Sequence, residues 1–225
     1  MCHGAFMNNI SEHSRRCRSS KRADRGSTRS LIIDAAGRVF AEKGFAKTTT
    51  REICQKAGVN SAAVNYYFGS KEGLYDEVLV EAHRQIISLD QMKTIMEDSA
   101  MSDEDKLRFV FSLVFRTAAN ASGLWGIKVL MRELAFPSAE FPRSLKDEIL
   151  PKAKLMRGLM GRLVNAPADS VKAAHAAFLV MMPCAYLLLF SEKIRSSILP
   201  ELAYREEMVR SMHAYTMAGL SALRG

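Results

Sequence analysis

From Arg29 onward, apolar side chains return every three or four residues. Ile32, Ala35, Ala36, Val39 and Phe40 share one helical face, while Asp34, Arg38, Glu42 and Lys43 fall mostly elsewhere. This spacing predicts a first helix closed by Gly44. The run Thr48-Thr49-Thr50 follows. A threonine hydroxyl there can accept a hydrogen bond from the free amides of a first turn, so a short second helix is expected, with Ile53 and Ala57 one turn apart. Gly58 ends it, at a left-handed turn where a side chain would clash. Asn60 then caps a third helix, Ser61 to Tyr67, and Phe68-Gly69 breaks it. Ser70 caps a fourth, running through Leu74, Val78 and Ala82 to about Leu89.

The remainder also reads as helices. One begins at Ser102 and presents Leu107, Val110, Phe111, Val114 and Phe115 on its apolar face. Another spans Leu124 to Ala135, and Pro137 and Pro142 bracket a loop. A longer helix covers Ser144 to Val164, with Pro151 either kinking or splitting it. Ala168-Asp169-Ser170 opens a helix that ends near Lys193, and Pro200-Glu201 opens the last, to about Leu223. No useful length alternates as a strand would, and no internal repeat is visible. The fold class is therefore all-α.

Composition narrows the class of molecule. At 48% hydrophobic and 25% charged, the 225-residue chain is that of a folded protein. Its net charge is +8, and residues 1–30 supply five of that excess, through Arg15, Arg16, Arg18, Lys21, Arg22, Arg25 and Arg29 against Glu12 and Asp24. Residues 1–26 show no periodicity and read as a disordered basic arm, suited to nucleic acid or an anionic membrane, or simply a solvated tail. Met7 offers an alternative start. Cys2, Cys17, Cys54 and Cys184 are far apart, so neither a disulfide framework nor a zinc site is expected, and a reducing cytoplasm is the default setting. Cys2-His3 and His13-xxx-Cys17 are the only metal-like spacings, and no metal or cofactor is assigned to them. Ala173 to Phe190 is apolar except for His175, but Pro183 interrupts it and no basic cluster flanks it. It reads as a core or interface helix and not as a membrane span. No GxSxG, P-loop, GxGxxG or HExxH occurs, so no enzyme chemistry is expected.

The stretch from 48 to 75 has the geometry of a helix-turn-helix within an N-terminal domain of residues 27–75. Ile53, Val59, Val64 and Phe68 can pack inward against Phe40 and Phe45. The outward residues of the third helix are Ser61, Ala62, Ala63, Asn65, Tyr66 and Tyr67. Small side chains let the backbone approach base edges, Asn65 can read adenine or bond phosphate, and the tyrosine hydroxyls can bond phosphate. Thr49, Thr50 and Arg51 would face the flanking backbone, with Arg29, Asn60 and Lys71 completing the expected DNA surface. Lys71 in particular would grip a phosphate at the start of the fourth helix.

The string itself is more specific than its periodicity. Phe40 to Phe45 reads F-A-E-K-G-F, Thr48 to Ile53 T-T-T-R-E-I, Ala57 to Asn60 A-G-V-N, and Tyr66 to Leu74 Y-Y-F-G-S-K-E-G-L. In this the region from Ile32 to Tyr75 resembles the DNA-binding domain of TetR-family regulators. It departs from the family pattern at Cys54, where a small Ala is usual, and at Ala62 and Ala63. The resemblance implies a transcriptional repressor that binds double-stranded DNA as a homodimer, one reading head per half of a palindrome. It also implies that a larger helical domain, here residues 76–225, dimerises and encloses a small-molecule ligand. Leu130 to Phe141, LMRELAFPSAEF, followed by ILPK, looks like the CecR-type subgroup.

Read on its own residues, the C-terminal part supports dimerisation. The run Ala176 to Phe190 exceeds what one helix face needs, and the last helix offers Met208, Met212, Tyr215, Met217, Leu220 and Leu223 for a four-helix seam. Candidate pocket residues are Phe111, Phe115, Trp125, Met131, Arg132, Phe136, His175, Phe178, Met182 and Tyr186, suited to a small, mostly apolar ligand. Arg132 and Glu133 would either meet a polar ligand group or pair at the surface.

Overall fold

The computed structural model describes residues 27–119, 125–135, 142–189, 197–198, 200–203 and 205–224. Every regular element among them is helical. The basic arm and its Cys-His spacings, Phe136, Pro137 and the end expected near Lys193 lie outside the described residues. The chain divides into two compact units, the first reaching Tyr75 and the second starting at Asp76.

The first unit holds α1 (27–43), α2 (Thr50–Ala57), α3 (Ala62–Phe68) and the first turn of α4 (Lys71–Ile86). Each start is held by a short side chain close in sequence. Thr49 and Glu52 form a reciprocal capping box on α2, the hydroxyl accepting from the Glu52 amide at 3.3 Å and the carboxylate from the Thr49 amide at 3.0 Å. Asn60 Oδ1 accepts from the Ala63 amide at 3.0 Å, and Ser70 Oγ from the Gly73 amide at 3.1 Å. Gly58 closes α2 at φ 67°, and the Gly58 and Val59 amides bond the carbonyls of Gln55 and Cys54. The core beneath is Ile32, Ala36, Phe40, Ile53, Val64 and Leu74, all essentially inaccessible. Each larger apolar side chain removed from water in this way contributes about 1.5–3 kcal/mol. Tyr75 packs edge-on against Phe40 at 4.9 Å and touches Phe45 at 4.8 Å, so three rings hold the α1–α2 loop to the start of α4.

The second unit holds the rest of α4, then α5 (Leu89–Glu97), α6 (Asp103–Ala119), α7 (Trp125–Ala135), α8 (Arg143–Leu163), α9 (Val171–Leu189), a 3-10 turn at Pro200–Ala203, and α10 (Arg205–Leu223). α6 packs on α9 and α10, and α8 on α9 and α5. Leu107, Phe111, Leu159, Met160 and Ala176 form the centre of their shared core. Arg162 on α8 donates two 2.8 Å bonds to Asp103, fork to fork, at the first turn of α6.

The structure refines the sequence reading in several places. The fourth helix stops at Ile86, because Ser88 and Gln91 form a second capping box and start α5. The end of α5 is held in turn by Lys106, whose ammonium bonds the Met96 carbonyl at 3.0 Å. Pro151 does not split its helix: α8 runs unbroken from Arg143 to Leu163. Met212 and Leu220, expected at a seam, are buried in the core, while the exposed face of α10 carries Ser211, Ala214, Tyr215 and Ala218.

α7 approaches α4 closely at Gly126, whose amide donates to Gln85 Oε1 at 3.2 Å. A Cβ at Gly126 would lie 2.8 Å from Ala82 Cα. Gly126→Ala should therefore push the two helices apart and destabilise the fold by about 1–3 kcal/mol, read as a lowered urea midpoint with an unchanged slope.

Candidate functional site

The reading head presents a small, polar and aromatic face. Ser61, Ala62, Asn65 and Tyr66 on or beside α3 are exposed, and Ala63 and Tyr67 half-buried. Tyr66 stands 65% exposed with its ring edge-on to Tyr67 at 4.9 Å. Val64 is the inward residue of the same turns. The Arg29 guanidinium lies over the Phe68 ring at 5.4 Å, and Arg51 is exposed on α2, with Thr50 half-buried next to it.

Three expected contact residues are already engaged. Thr49 and Asn60 spend side-chain oxygens on helix starts. Lys71 Nζ donates to the carbonyls of Thr48 at 3.0 Å and Phe45 at 3.2 Å, and sits 4.2 Å over the Phe45 ring. The geometry makes it a brace for the α1–α2 loop, with one N–H remaining for a phosphate. Lys47, an exposed cation in that loop, escaped the sequence reading because a lone loop lysine carries no periodic signal.

In the second unit, a cavity of about 590 Å³ lies among residues of α4 to α9. Its walls are overwhelmingly aliphatic and thioether. α6 contributes Val110 and Val114, α8 Leu145, Ile149 and Met156, and α9 Ala174, Ala177, Phe178, Met181 and Met182. α9 thus mixes small and large side chains along this wall. Cys184 also lines it, and burial pushes its thiol up to about 12.

A few polar groups also line the cavity. Lys152 on α8 is only 5% exposed, and its ammonium meets Glu148 Oε1 at 2.7 Å and His83 Nδ1 at 3.0 Å. Arg84 donates to the other Glu148 oxygen at 3.0 Å, so this carboxylate joins α4 to α8. Burial pushes the Glu148 carboxyl up, but the hydrogen bonds from Lys152 and Arg84 outweigh it and hold the group below the usual range. His83 is lowered to about 4, first by burial and then by the Lys152 charge. It is thus a neutral imidazole at neutral pH. An ammonium has only hydrogens to give, so His83 Nδ1 is the acceptor and its proton sits on Nε2.

Of the pocket residues expected from sequence, Met131, Phe178 and Met182 line the cavity. Phe111 and Phe115 do not: they point into the core, about 100° around α6 from Val110 and Val114. Trp125 is buried without lining it, and Arg132, His175 and Tyr186 are exposed. Of the pair on α7, Glu133 is the buried cavity residue. Lys152 and His83 were missed, although a signal existed. Lys152 falls in the stripe Leu145, Ile149, Met156, where a cation on an apolar helix face requires an inward partner.

Comparison with known proteins agrees with both units. Residues 32–78 match the family described as bacterial regulatory proteins, tetR family. Residues 104–223, just over half of the chain, match the C-terminal domain of the HTH-type transcriptional dual regulator CecR. The chain is 32% identical over 88 residues to the Probable HTH-type transcriptional regulator YttP of Bacillus subtilis, covering 39% of this chain and 42% of that one. It is 57% identical over 44 residues to CecR of Shigella flexneri, covering 20% and 19%. The matches thus span less than half the length of these curated relatives. The fold is that of the Bacillus subtilis regulator FadR solved with stearoyl-CoA, at a TM-score of 0.65, 18% identity, and 84% and 98% coverage. The chain belongs to the TetR family of transcriptional regulators, a family of regulators and not of enzymes. Within it, the second unit is a C-terminal domain of the CecR type.

The His83 environment has a consequence for stability. Above its ordinary value of 6.5 both folded and unfolded chains carry it neutral. Between 6.5 and about 4 the unfolded chain takes a proton that the folded one refuses, so stability falls as pH drops through that window. Denaturation midpoints should show this decline, and His83→Gln should flatten it.

Proposed function

We propose that this protein is a homodimeric, ligand-responsive repressor. It binds a palindromic DNA site through its first unit and leaves that site when a small, mostly apolar molecule occupies the cavity of the second. The observation that carries this reading is α4. It runs unbroken from Lys71 to Ile86, so one helix supplies the brace of the reading head at its start and cavity-wall residues at its end. A ligand that favours one setting of that helix shifts the DNA-binding equilibrium by its difference in affinity for the two states. The cavity volume lies within the usual range for small-molecule sites.

The DNA surface is Tyr66, Tyr67, Asn65, Ser61, Ala62 and Ala63, flanked by Thr50, Arg51, Lys47 and Arg29. Thr49 and Asn60 act by fixing the helix starts and Lys71 by holding the loop. Dimerisation rests on the outer face of α9, where Val171, Phe178, Leu179, Met182 and Tyr186 are exposed at helical spacing, with Tyr215 exposed on α10. Apolar side chains in such a row call for a partner surface, and a twofold axis supplies the same row again. No helix among the described residues is long and apolar enough to cross a membrane. As a regulator acting on DNA, the protein would work in the cytoplasm.

Operator fragments selected from the source genome provide the test. Tyr66→Ala with Arg51→Ala should weaken binding to them at least about tenfold at fixed salt. Unchanged affinity would remove these side chains from the interface. Sedimentation should give twice the 25.1 kDa chain mass, and Leu179→Asp should halve it. A neutral fluorescent probe, N-phenyl-1-naphthylamine, should bind the protein and lower its affinity for the operator. A protein that held DNA equally with and without every cavity-binding compound would be a regulator of another kind.

A further inference from the structure

The apolar walls explain a ligand's body, but not why a buried cation stands among them. Lys152 has three ammonium hydrogens and, among the described residues, meets two acceptors, Glu148 Oε1 and His83 Nδ1. With Nδ1 accepting, His83 carries a hydrogen on Nε2, and both residues line the cavity. The other charged groups of the lining are Glu133 on α7 and Arg157 on α8, and Arg157 Nε donates to the Ala168 carbonyl at 3.1 Å. Glu148 bridges Lys152 to Arg84 just outside the lining. With His83 neutral, Lys152, Arg157 and Arg84 stand against Glu133 and Glu148, three cations to two carboxyls in and beside an otherwise apolar space.

We propose that the cavity selects anionic amphiphiles, molecules with an apolar body and one carboxylate, and that Lys152 and His83 bind that carboxylate. This rests on the reading of the cavity as a ligand site and adds the chemistry of the ligand. A carboxylate oxygen accepts the third Lys152 hydrogen and the His83 Nε2 hydrogen without disturbing the Glu148 pair. An alcohol of the same length offers a weaker acceptor and no charge. An amine adds a second cation beside the first, in surroundings where charges are poorly screened. Salt bridges to Glu148 do not exhaust Lys152, because an ammonium is a three-donor point charge.

The test uses the full-length protein and displacement of N-phenyl-1-naphthylamine by decanoate, decanol and decylamine. Salt is held near 0.15 M, where the screening length of about 8 Å suppresses adsorption to the basic surface. Decanoate should bind at least about tenfold more tightly than either other compound, since it gains a charge-assisted pair. Lys152→Gln keeps N–H donors toward Glu148 and His83 while removing the charge, and it should close that gap. If this variant fails to fold, the Lys152→Met, Glu148→Gln pair removes both charges together and should close the gap likewise. Decanol or decylamine equal to decanoate on the unaltered protein would overturn the anion assignment and leave the cavity reading standing. A decanoate preference that survives loss of the Lys152 charge would overturn the role of Lys152. Failure of the probe and all three compounds to bind would overturn the cavity reading, and this inference with it.

Discussion

The ammonium of Lys152 is withdrawn from water, and much of the second unit answers to that fact. Removing its carboxylate partner Glu148 would leave that charge unpaired, at a cost of about 3–5 kcal/mol. Glu148 sits one turn earlier on the same helix, and His83 and Arg84 come from α4. The contacts that cross from α8 to α4, Lys152 to His83 and Glu148 to Arg84, therefore hold the rotation of α8 against α4. They also place Lys152 and His83 in the lining of a space whose walls are mostly apolar. The same side chains that hold two helices together thus belong to the cavity wall.

α9 resolves a different constraint, since it meets three environments with one run of apolar residues. Ala176, Val180 and Cys184 face the core, while Ala174, Ala177 and Ala185 border the cavity. Phe178, Leu179 and Tyr186 project outward, with Phe178 also reaching the cavity. Size alone does not separate these roles, since Met181 and Met182 line the cavity beside the alanines. In the reading head, Thr49, Asn60 and Ser70 are committed to helix starts. What remains outward on α3 is two tyrosines, Asn65 and small residues.

Much of this was legible in the chain itself. Capping residues and turn glycines act over a few positions, so Thr49, Gly58, Asn60 and Ser70 marked the head's elements correctly, and the F-A-E-K-G-F and Y-Y-F-G-S-K-E-G-L strings carried the family. The cavity was less legible, because periodicity distinguishes the buried side of a helix from the wet side but not core from cavity. Phe111 and Val110 are neighbours with equal claims to burial, and only the placement of α9 decides which one meets the open space. Lys71 illustrates the same limit. Its place beside the expected DNA surface was readable, but its bonds to Phe45 and Thr48 arise from a loop 23 or more residues away. The break at Ser88 was missed because a helix that stops and restarts within two residues barely interrupts the apolar pattern.

Cys184 stands in the cavity wall with its thiol pushed up to about 12. The thiolate is the reactive form of cysteine, and near neutral pH such a group is almost wholly thiol. A molecule that entered beside it would meet a thiol and not the reactive thiolate, so its stay would leave no covalent memory of earlier exposure.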